Sequence, residues 1–500
     1  MAIFMSFLCL LLLTLVSLIL VKKGKTPKRN LPPSPRKLPV IGNLHQLKGK
    51  PHRYFHQLSK KFGPVMLFRF GFTPVVVISS REAAEQVLKT HDLVCCSRPM
   101  TVGINKFTRQ GKVISFAPYG EEWRELRKIA VLEFFSPKKV RSFRHIREEE
   151  NNLLVKKLSE SALKQSPVDL SITLFRLAAG IILRVAFGQN ILESKLIDKD
   201  KIGQIMEEAQ DVQASSFSDF FPGFGWLVDW FSGKYKKLDK VCKEFDNFFQ
   251  EVIDDHLKHG RTDQDHPDFV DAVLKIMEEQ GEDEYFRLNT DHIKGIFSDI
   301  VVGGIDTSAI TMTWAMTELA RNPRAMRKAQ EEIRNCIGKK ETITEDDLDR
   351  IHYLKLVIKE TLRLHPAAPL LLPRLTTGPV QIQGYDIPPR TWLQVNAYAI
   401  ARDPENWENP DEFIPERFID RPADYRGQHF ELLPFGSGRR TCPGISMAIA
   451  TVELALLNLL YFFDWELPDW MTEKDIDIEE TGKLTTGKKE PLKLVPVRHV

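Results

Sequence analysis

Cysteine is scarce in this 500-residue chain: Cys9, Cys95, Cys96, Cys242, Cys336 and Cys442 are all there is, with no Cys-x-x-Cys pair among them. That spacing supports neither an iron–sulfur cluster nor a structural zinc site. His429-Phe430-Glu431 superficially matches the start of a zinc-deaminase signature, but its Pro-Cys-x-x-Cys partner is missing. A net charge of only +3 leaves no basic footprint for nucleic acid. Internal repeats, low-complexity tracts, a nucleotide-binding fingerprint and a flavin domain are absent as well.

Charge is missing altogether from residues 1–21, and acid from residues 1–30. An uncharged run of that length can cross the hydrocarbon core of a bilayer. Lys22, Lys23, Lys25, Lys28 and Arg29 follow it, and taking these five from the net charge leaves the remainder at −2. The basic excess therefore belongs to the membrane flank. A cleaved signal peptide would carry its positive charge before the apolar run and a small-residue cleavage site after it, and neither is present. The pattern predicts an uncleaved single-pass transmembrane anchor over 1–21 with the body in the cytosol, where disulfides are disfavoured. Pro32, Pro33, Pro35 and Pro39 make residues 22–43 a basic, proline-rich hinge, semi-rigid because proline fixes φ. No composition break follows, so residues 44–500 read as one large domain.

Residues 65–70 and 75–78, on either side of Gly71-Phe72-Thr73-Pro74, predict a β-hairpin, and residues 380–395 predict further strand pieces. Nearly everything else has helical periodicity. The expected fold class is mainly α with a small β-sheet region. A long helix is expected over 291–321, with Thr290 as its cap and Asn322-Pro323 as its stop.

Against that background one cysteine has a chemical setting. Pro434-Phe435-Gly436-Ser437-Gly438-Arg439-Arg440-Thr441-Cys442-Pro443-Gly444 is a glycine-rich loop, and an apolar helical run over 445–463 begins directly after it. Backbone N–H groups and a helix start near Cys442 predict a lowered thiol pKa and a ready thiolate. The loop matches Phe-x-x-Gly-x-Arg-x-Cys-x-Gly at every fixed position, and here the sequence resembles the cytochrome P450 family, in particular plant microsomal members. The resemblance extends over nearly the whole chain.

The resemblance implies haem b with Cys442 as axial iron ligand, a thiolate that donates electron density for O–O cleavage. It implies that Trp123, Arg127, Arg374 and Arg440 hydrogen-bond the haem propionates, since buried carboxylates need compensating donors. Gly303-Gly304-Ile305-Asp306-Thr307-Ser308 resembles the family's oxygen-activation motif, in which the helix opens locally. Asp306 and Thr307 would there manage proton delivery to dioxygen, and Gly303 stands where alanine is commoner. Glu360-Thr361-Leu362-Arg363 and Pro415-Glu416-Arg417-Phe418 resemble the pair of signatures that builds a buried Glu-Arg-Arg network. Glu360, Arg363 and Arg417 thus receive a structural role.

By the same analogy, the pocket is lined from 101–116, at Val302 and Gly303, from 367–371, and at Leu484 and Thr485. These positions are largely apolar or small, which favours a lipophilic small molecule such as a specialised plant metabolite. Phe217, Phe220, Phe221, Phe224, Trp226, Trp230 and Phe231, broken up by Pro222, Gly223 and Gly225, predict a lid dipping into the membrane interface. Electrons would come from NADPH through a separate NADPH-cytochrome P450 reductase, with cytochrome b5 as a further donor. The resemblance places the protein in the endoplasmic reticulum membrane. Two alternatives stand beside this reading: a reductase-independent haem-thiolate isomerase or dehydratase, against which the intact Asp306-Thr307 pair counts, and a non-enzymatic haem sensor.

Overall fold

The computed structural model describes residues 29–47, 49–188, 202–259, 268–281, 286–469 and 471–499. The expected anchor over 1–21 and the start of the hinge lie outside the described residues. The rest of the hinge is docked on the body. Asn30 N–H donates to Asp386 Oδ2 at 2.9 Å, and Leu67 N–H donates to Pro33 O at 2.9 Å.

The first helix, α1 (Pro51–Phe62), leads into the expected hairpin of β1 (Val65–Phe70) and β2 (Thr73–Ile78), paired antiparallel from Val65↔Ile78 to Phe70↔Thr73. Then come α2 (Glu121–Ala130), α3 (Arg144–Leu163), α4 (Leu170–Phe187), α5 (Ile202–Gln213), α6 (Lys234–His259), α7 (Phe269–Glu279), α8 (Thr290–Arg321), α9 (Pro323–Ile337) and α10 (Tyr353–Leu364). Strands β3 (Arg374–Leu375) and β4 (Trp392–Val395) complete a four-stranded sheet of order β1-β2-β4-β3. The chain ends with α11 (Ile445–Phe462), β5 (Phe463–Glu466) and β6 (Lys493–Arg498).

The mainly helical body with small sheets agrees with the sequence. Helix α8 starts one residue earlier than expected. Asn289, not Thr290, is its cap, because the Asn289 side chain reaches the His292 N–H at 3.1 Å. Proline at 323 removes the donor that would continue the helix. Helices α4, α8 and α11 are each long and apolar enough to span a membrane, yet their faces are buried within the body. Helix α8 packs against α4, α10 and α11, and so forms the core on which the site is built.

His256 on α6 staples that helix to the start of α7. Its Nδ1 lies 2.8 Å from Val252 O and its Nε2 lies 3.0 Å from Asp268 Oδ2. Two acceptors call for a doubly protonated ring. Hence no ring lone pair is left for a metal, although Asp271 is also close by. Burial opposes the imidazolium, but hydrogen bonding and charge from Asp268 outweigh it and raise the His256 pKa. A raised folded value gives stability that is fully present below the ordinary value of about 6.5 and lost as pH rises through the folded value. The melting-temperature gap between wild type and His256→Leu is therefore expected to be wider at about pH 6 than at about pH 9.

Candidate active site

In the loop over 434–444, Gly436 and Gly438 adopt left-handed φ values of 68° and 72°. At Gly438 a Cβ would stand 2.1 Å from the Leu88 carbonyl oxygen, so only glycine fits. Cys442 N–H closes the loop on Phe435 O at 2.9 Å, and Gly444 sits at the cap of α11. The Gly444 backbone N–H donates to the Cys442 sulfur, with the Arg127 guanidinium nearby. Both favour a thiolate. Burial opposes them and prevails, so the Cys442 thiol is held above its ordinary value. This reverses the direction expected from the sequence, which shows the donors but not how dry the sulfur's surroundings are. Binding a metal would restore the thiolate, since a coordinating thiol is deprotonated outright.

Beside the loop the fold gathers four arginines. Arg127, on α2, donates from Nη2 to Thr441 O at 2.6 Å. Arg440 donates to Cys96 O at 2.8 Å, Ile114 O at 3.1 Å and Ala117 O at 2.5 Å, with its guanidinium 4.1 Å from the Trp123 ring centroid. Trp123 Nε1 shares the Ile114 acceptor at 2.9 Å. Arg374 is bound to Asp92 Oδ1 at 2.7 Å and to Ser437 O at 2.9 Å. The fourth, Arg98, was not singled out from the sequence. It donates from Nε to Ser115 O at 2.9 Å and from Nη1 to Leu372 O and Pro373 O at 2.7 and 2.8 Å.

Among the described residues, Asp92 is the one acid in ion-pair contact with any of these four, and it also meets the exposed Arg439. Burial and mutual repulsion lower the Arg98 pKa and push Arg440 down to about 9, and burial lowers Arg127. Such a cluster has a deficit of negative charge. It also retains unused donors, because each guanidinium carries five N–H groups; Arg98 Nη2 has no acceptor among the described residues. Haem fits on both counts, since it brings two carboxylates to the arginines and an iron to the sulfur. Trp123, Arg127, Arg374, Arg440 and Cys442 thus fall into one neighbourhood, although in this structure the first four are bonded to protein partners.

A second missed residue ties this neighbourhood to α8. Asp299 Oδ2 accepts from the N–H groups of Ile114 and Ser115 at 2.5 and 3.0 Å, and Oδ1 accepts from the Ser115 hydroxyl. Burial pushes the Asp299 carboxyl up to about 6 despite these donors. Ile114 is therefore clamped from both sides, with Asp299 at its N–H and Trp123 and Arg440 at its carbonyl.

Just over one turn further along α8, the helix runs unbroken through the Gly303-Gly304 pair. The local opening that the resemblance implied is absent here; instead Thr307 Oγ1 donates to Gly303 O at 2.6 Å. The glycines do different jobs. A Cβ on Gly304 would lie 3.1 Å from Ile182 Cδ1, so this glycine lets α4 approach, whereas a Cβ on Gly303 would meet nothing within 4 Å. Asp306 points away from Thr307. Its Oδ2 accepts from Gln210 Nε2 at 2.8 Å and lies 2.5 Å from Thr485 Oγ1.

The sequence profile described as "Cytochrome P450" matches residues 32–494. Among curated proteins, "Cytochrome P450 71B19" of Arabidopsis thaliana is 60% identical over 498 residues, covering 99% of each chain. "Cytochrome P450 71B7" of the same plant is 58% identical over 503 residues, covering 100% of each. A solved structure described as "Zebra fish cytochrome P450 another structure with Abiraterone" superposes with a TM-score of 0.76 at 24% identity, covering 90% of this chain and 99% of that one. At that identity the likeness speaks for the fold alone. With its fold, its cysteine loop and these relatives in agreement, the chain belongs to the cytochrome P450 family of haem-thiolate monooxygenases, among the plant A-type members.

Proposed function

We propose that this enzyme inserts one atom of dioxygen into a lipophilic small molecule of the plant specialised-metabolite class. Electrons reach it from NADPH through a separate reductase, with cytochrome b5 as a further donor, and its anchor holds it in the endoplasmic reticulum membrane. The observation that carries this reading is Cys442 at the start of α11, beneath the Gly444 N–H and beside a four-arginine cluster short of anions.

In this assignment Cys442 Sγ ligates iron, and Arg127, Arg440, Trp123 and the missed Arg98 hold the propionates. Arg374, held by Asp92 and Ser437, braces the loop as well as supplying positive charge. Bound haem supplies reductive activation of dioxygen and oxygen-atom transfer. Gly303 keeps a stretch of α8 free of side chain, and Thr307 and Asp306 are the groups that would move protons there. The lid reading fits the exposure of the two short helices Phe217–Phe220 and Gly225–Phe231, in which Trp230 is 62% and Phe231 78% exposed. Phe220 anchors that segment, packing on Phe70 and Trp392 at 5.9 and 6.1 Å between ring centroids.

The test incubates the membrane-bound protein, reductase and NADPH with plant metabolite mixtures under isotopically heavy dioxygen, with Cys442→Ala as control. One heavy oxygen per product, dependent on NADPH and on Cys442, is the expected result. Unlabelled product formed without NADPH would make the protein an isomerase or dehydratase. Haem binding with no product from a broad library would return the sensor reading.

A further inference from the structure

Around Asp306 the hydrogen count closes for a carboxylate only if one hydrogen is shared between two acceptors. Three side chains from three elements meet in a ring: Asp306 on α8, Gln210 on α5 and Thr485 in the segment before β6. Gln210 Nε2 is 2.8 Å from Asp306 Oδ2, Thr485 Oγ1 is 2.5 Å from the same Oδ2, and Thr485 Oγ1 is 2.9 Å from Gln210 Oε1. Three unshared hydrogen bonds need three hydrogens. The amide contributes one to this ring and the hydroxyl contributes one. Turning the Gln210 amide over does not help, because its oxygen then faces Asp306 in place of Thr485 and the total stays at two.

On a carboxylate the Thr485 hydroxyl must therefore split its one hydrogen between Asp306 Oδ2 and Gln210 Oε1; a hydrogen on the Asp306 carboxyl removes that split. With it, Asp306 Oδ2–H donates to Thr485 Oγ1, Thr485 O–H donates to Gln210 Oε1, and Gln210 Nε2–H donates back to Asp306 Oδ2. Every contact is then satisfied in one direction around the ring, the arrangement in which hydrogen bonds reinforce one another.

We propose that Asp306 rests as a neutral carboxylic acid latched by Gln210 and Thr485, and that parting α5 from the 485 segment releases this acid toward Thr307. The functional half of the proposal rests on the monooxygenase reading. Gln210 and Thr485 are positioning residues in it, since they act through Asp306.

The surroundings agree. Burial pushes the Asp306 carboxyl up. The cation facing it is Lys483, in the same segment as Thr485, and Lys483 is itself paired with Glu207 of α5. From α4, the neighbour on the adjoining turn is apolar Ile182 against Gly304. On α8 itself, Thr307 is turned to Gly303 O, so neither member of the acid–alcohol pair is aimed at the other. Separating α5 from the segment breaks at least two of the three contacts. A proton can then pass from Asp306 Oδ2 to Thr307 Oγ1 while Thr307 gives its own hydrogen to reduced dioxygen beside Gly303, and solvent re-protonates Asp306.

The test is infrared spectroscopy of the haem-loaded protein at neutral pH, as the difference between wild type and Asp306→Asn. A band from a neutral carboxyl is expected. It should shift in Thr485→Val and in Gln210→Leu and stay in place in Thr485→Ser, which keeps the hydroxyl. Amide hydrogen exchange over 202–213 should rise several-fold in Thr485→Val and Gln210→Leu, and so should NADPH oxidation without substrate. A difference spectrum with carboxylate bands alone overturns the neutral acid. Unchanged exchange and unchanged substrate-free NADPH oxidation in both variants overturn the latch. Failure of the monooxygenase reading would show separately, as a wild type whose reduced, carbon monoxide-treated spectrum lacks the thiolate signature.

Discussion

Arg363→Ala is expected to destabilise the fold by about 3–5 kcal/mol, the range for stripping one partner from a buried ion pair, and to leave little haem-loaded protein. Arg363 and Glu360 are both fully buried. All five N–H groups of Arg363 are engaged: Nε and Nη2 with the two Glu360 oxygens at 2.8 Å each, Nη1 with Ala401 O and Pro410 O at 2.7 Å each, and Nη2 also with Glu412 O at 3.0 Å. Truncation would leave the Ala401 and Pro410 carbonyls without a donor, Glu412 O with only Arg417 Nη2 at 3.3 Å, and Glu360 with only Arg417 Nε and the Ile414 N–H, both at 2.9 Å. Lysine keeps the charge but not the planar fork, so Arg363→Lys should recover less than half of the loss. Denaturant midpoints and haem content per chain check both variants. The network links α10 to residues 401–417, ahead of the Cys442 loop, so its failure should be seen in haem retention before turnover is measured.

What the sequence made legible was whatever depends on local spacing. Glu360 and Arg363 lie one helical turn apart, and the second signature at Arg417 completed the network; Cys442, Gly436 and Gly438 lie within seven residues of one another. The β1–β2 hairpin and the ends of α8 and α11 could be read to within a residue or two, since proline, glycine and polar caps act on their own neighbourhood. Arg98, Asp92, Asp299 and the Gln210–Thr485 pairing escaped because each depends on contacts between residues far apart in the chain, and no periodicity marks a single charged residue bound for the interior. The resting direction of the Cys442 pKa was misread for a related reason: donors can be inferred from a motif, but the desolvation that outweighs them is a property of the whole packed core.

Cys442→Ser is expected to reduce formation of oxygenated product to the level seen with reductase alone, while the fold survives. The hydroxyl is smaller than the thiol, so the loop can keep the Cys442 N–H bond to Phe435 O and the glycine turns at 436 and 438. Chemically the exchange is not conservative. Burial already holds the thiol above its ordinary value against the Gly444 N–H and Arg127. An alcohol is a far weaker acid, and the same two groups fall well short of making it an anionic ligand. Arg127→Leu provides the contrast. It removes the cation beside the sulfur and the bond to Thr441 O, so it should lower haem occupancy while the chains that retain haem keep the thiolate signature. Reduced spectra under carbon monoxide, together with heavy-oxygen incorporation, separate the two: loss of the signature and of product in Cys442→Ser, loss of occupancy with signature intact in Arg127→Leu. A Cys442→Ser protein that still formed labelled product would move the iron ligand elsewhere in the chain and remove the basis for reading the 434–444 loop as the centre of the site.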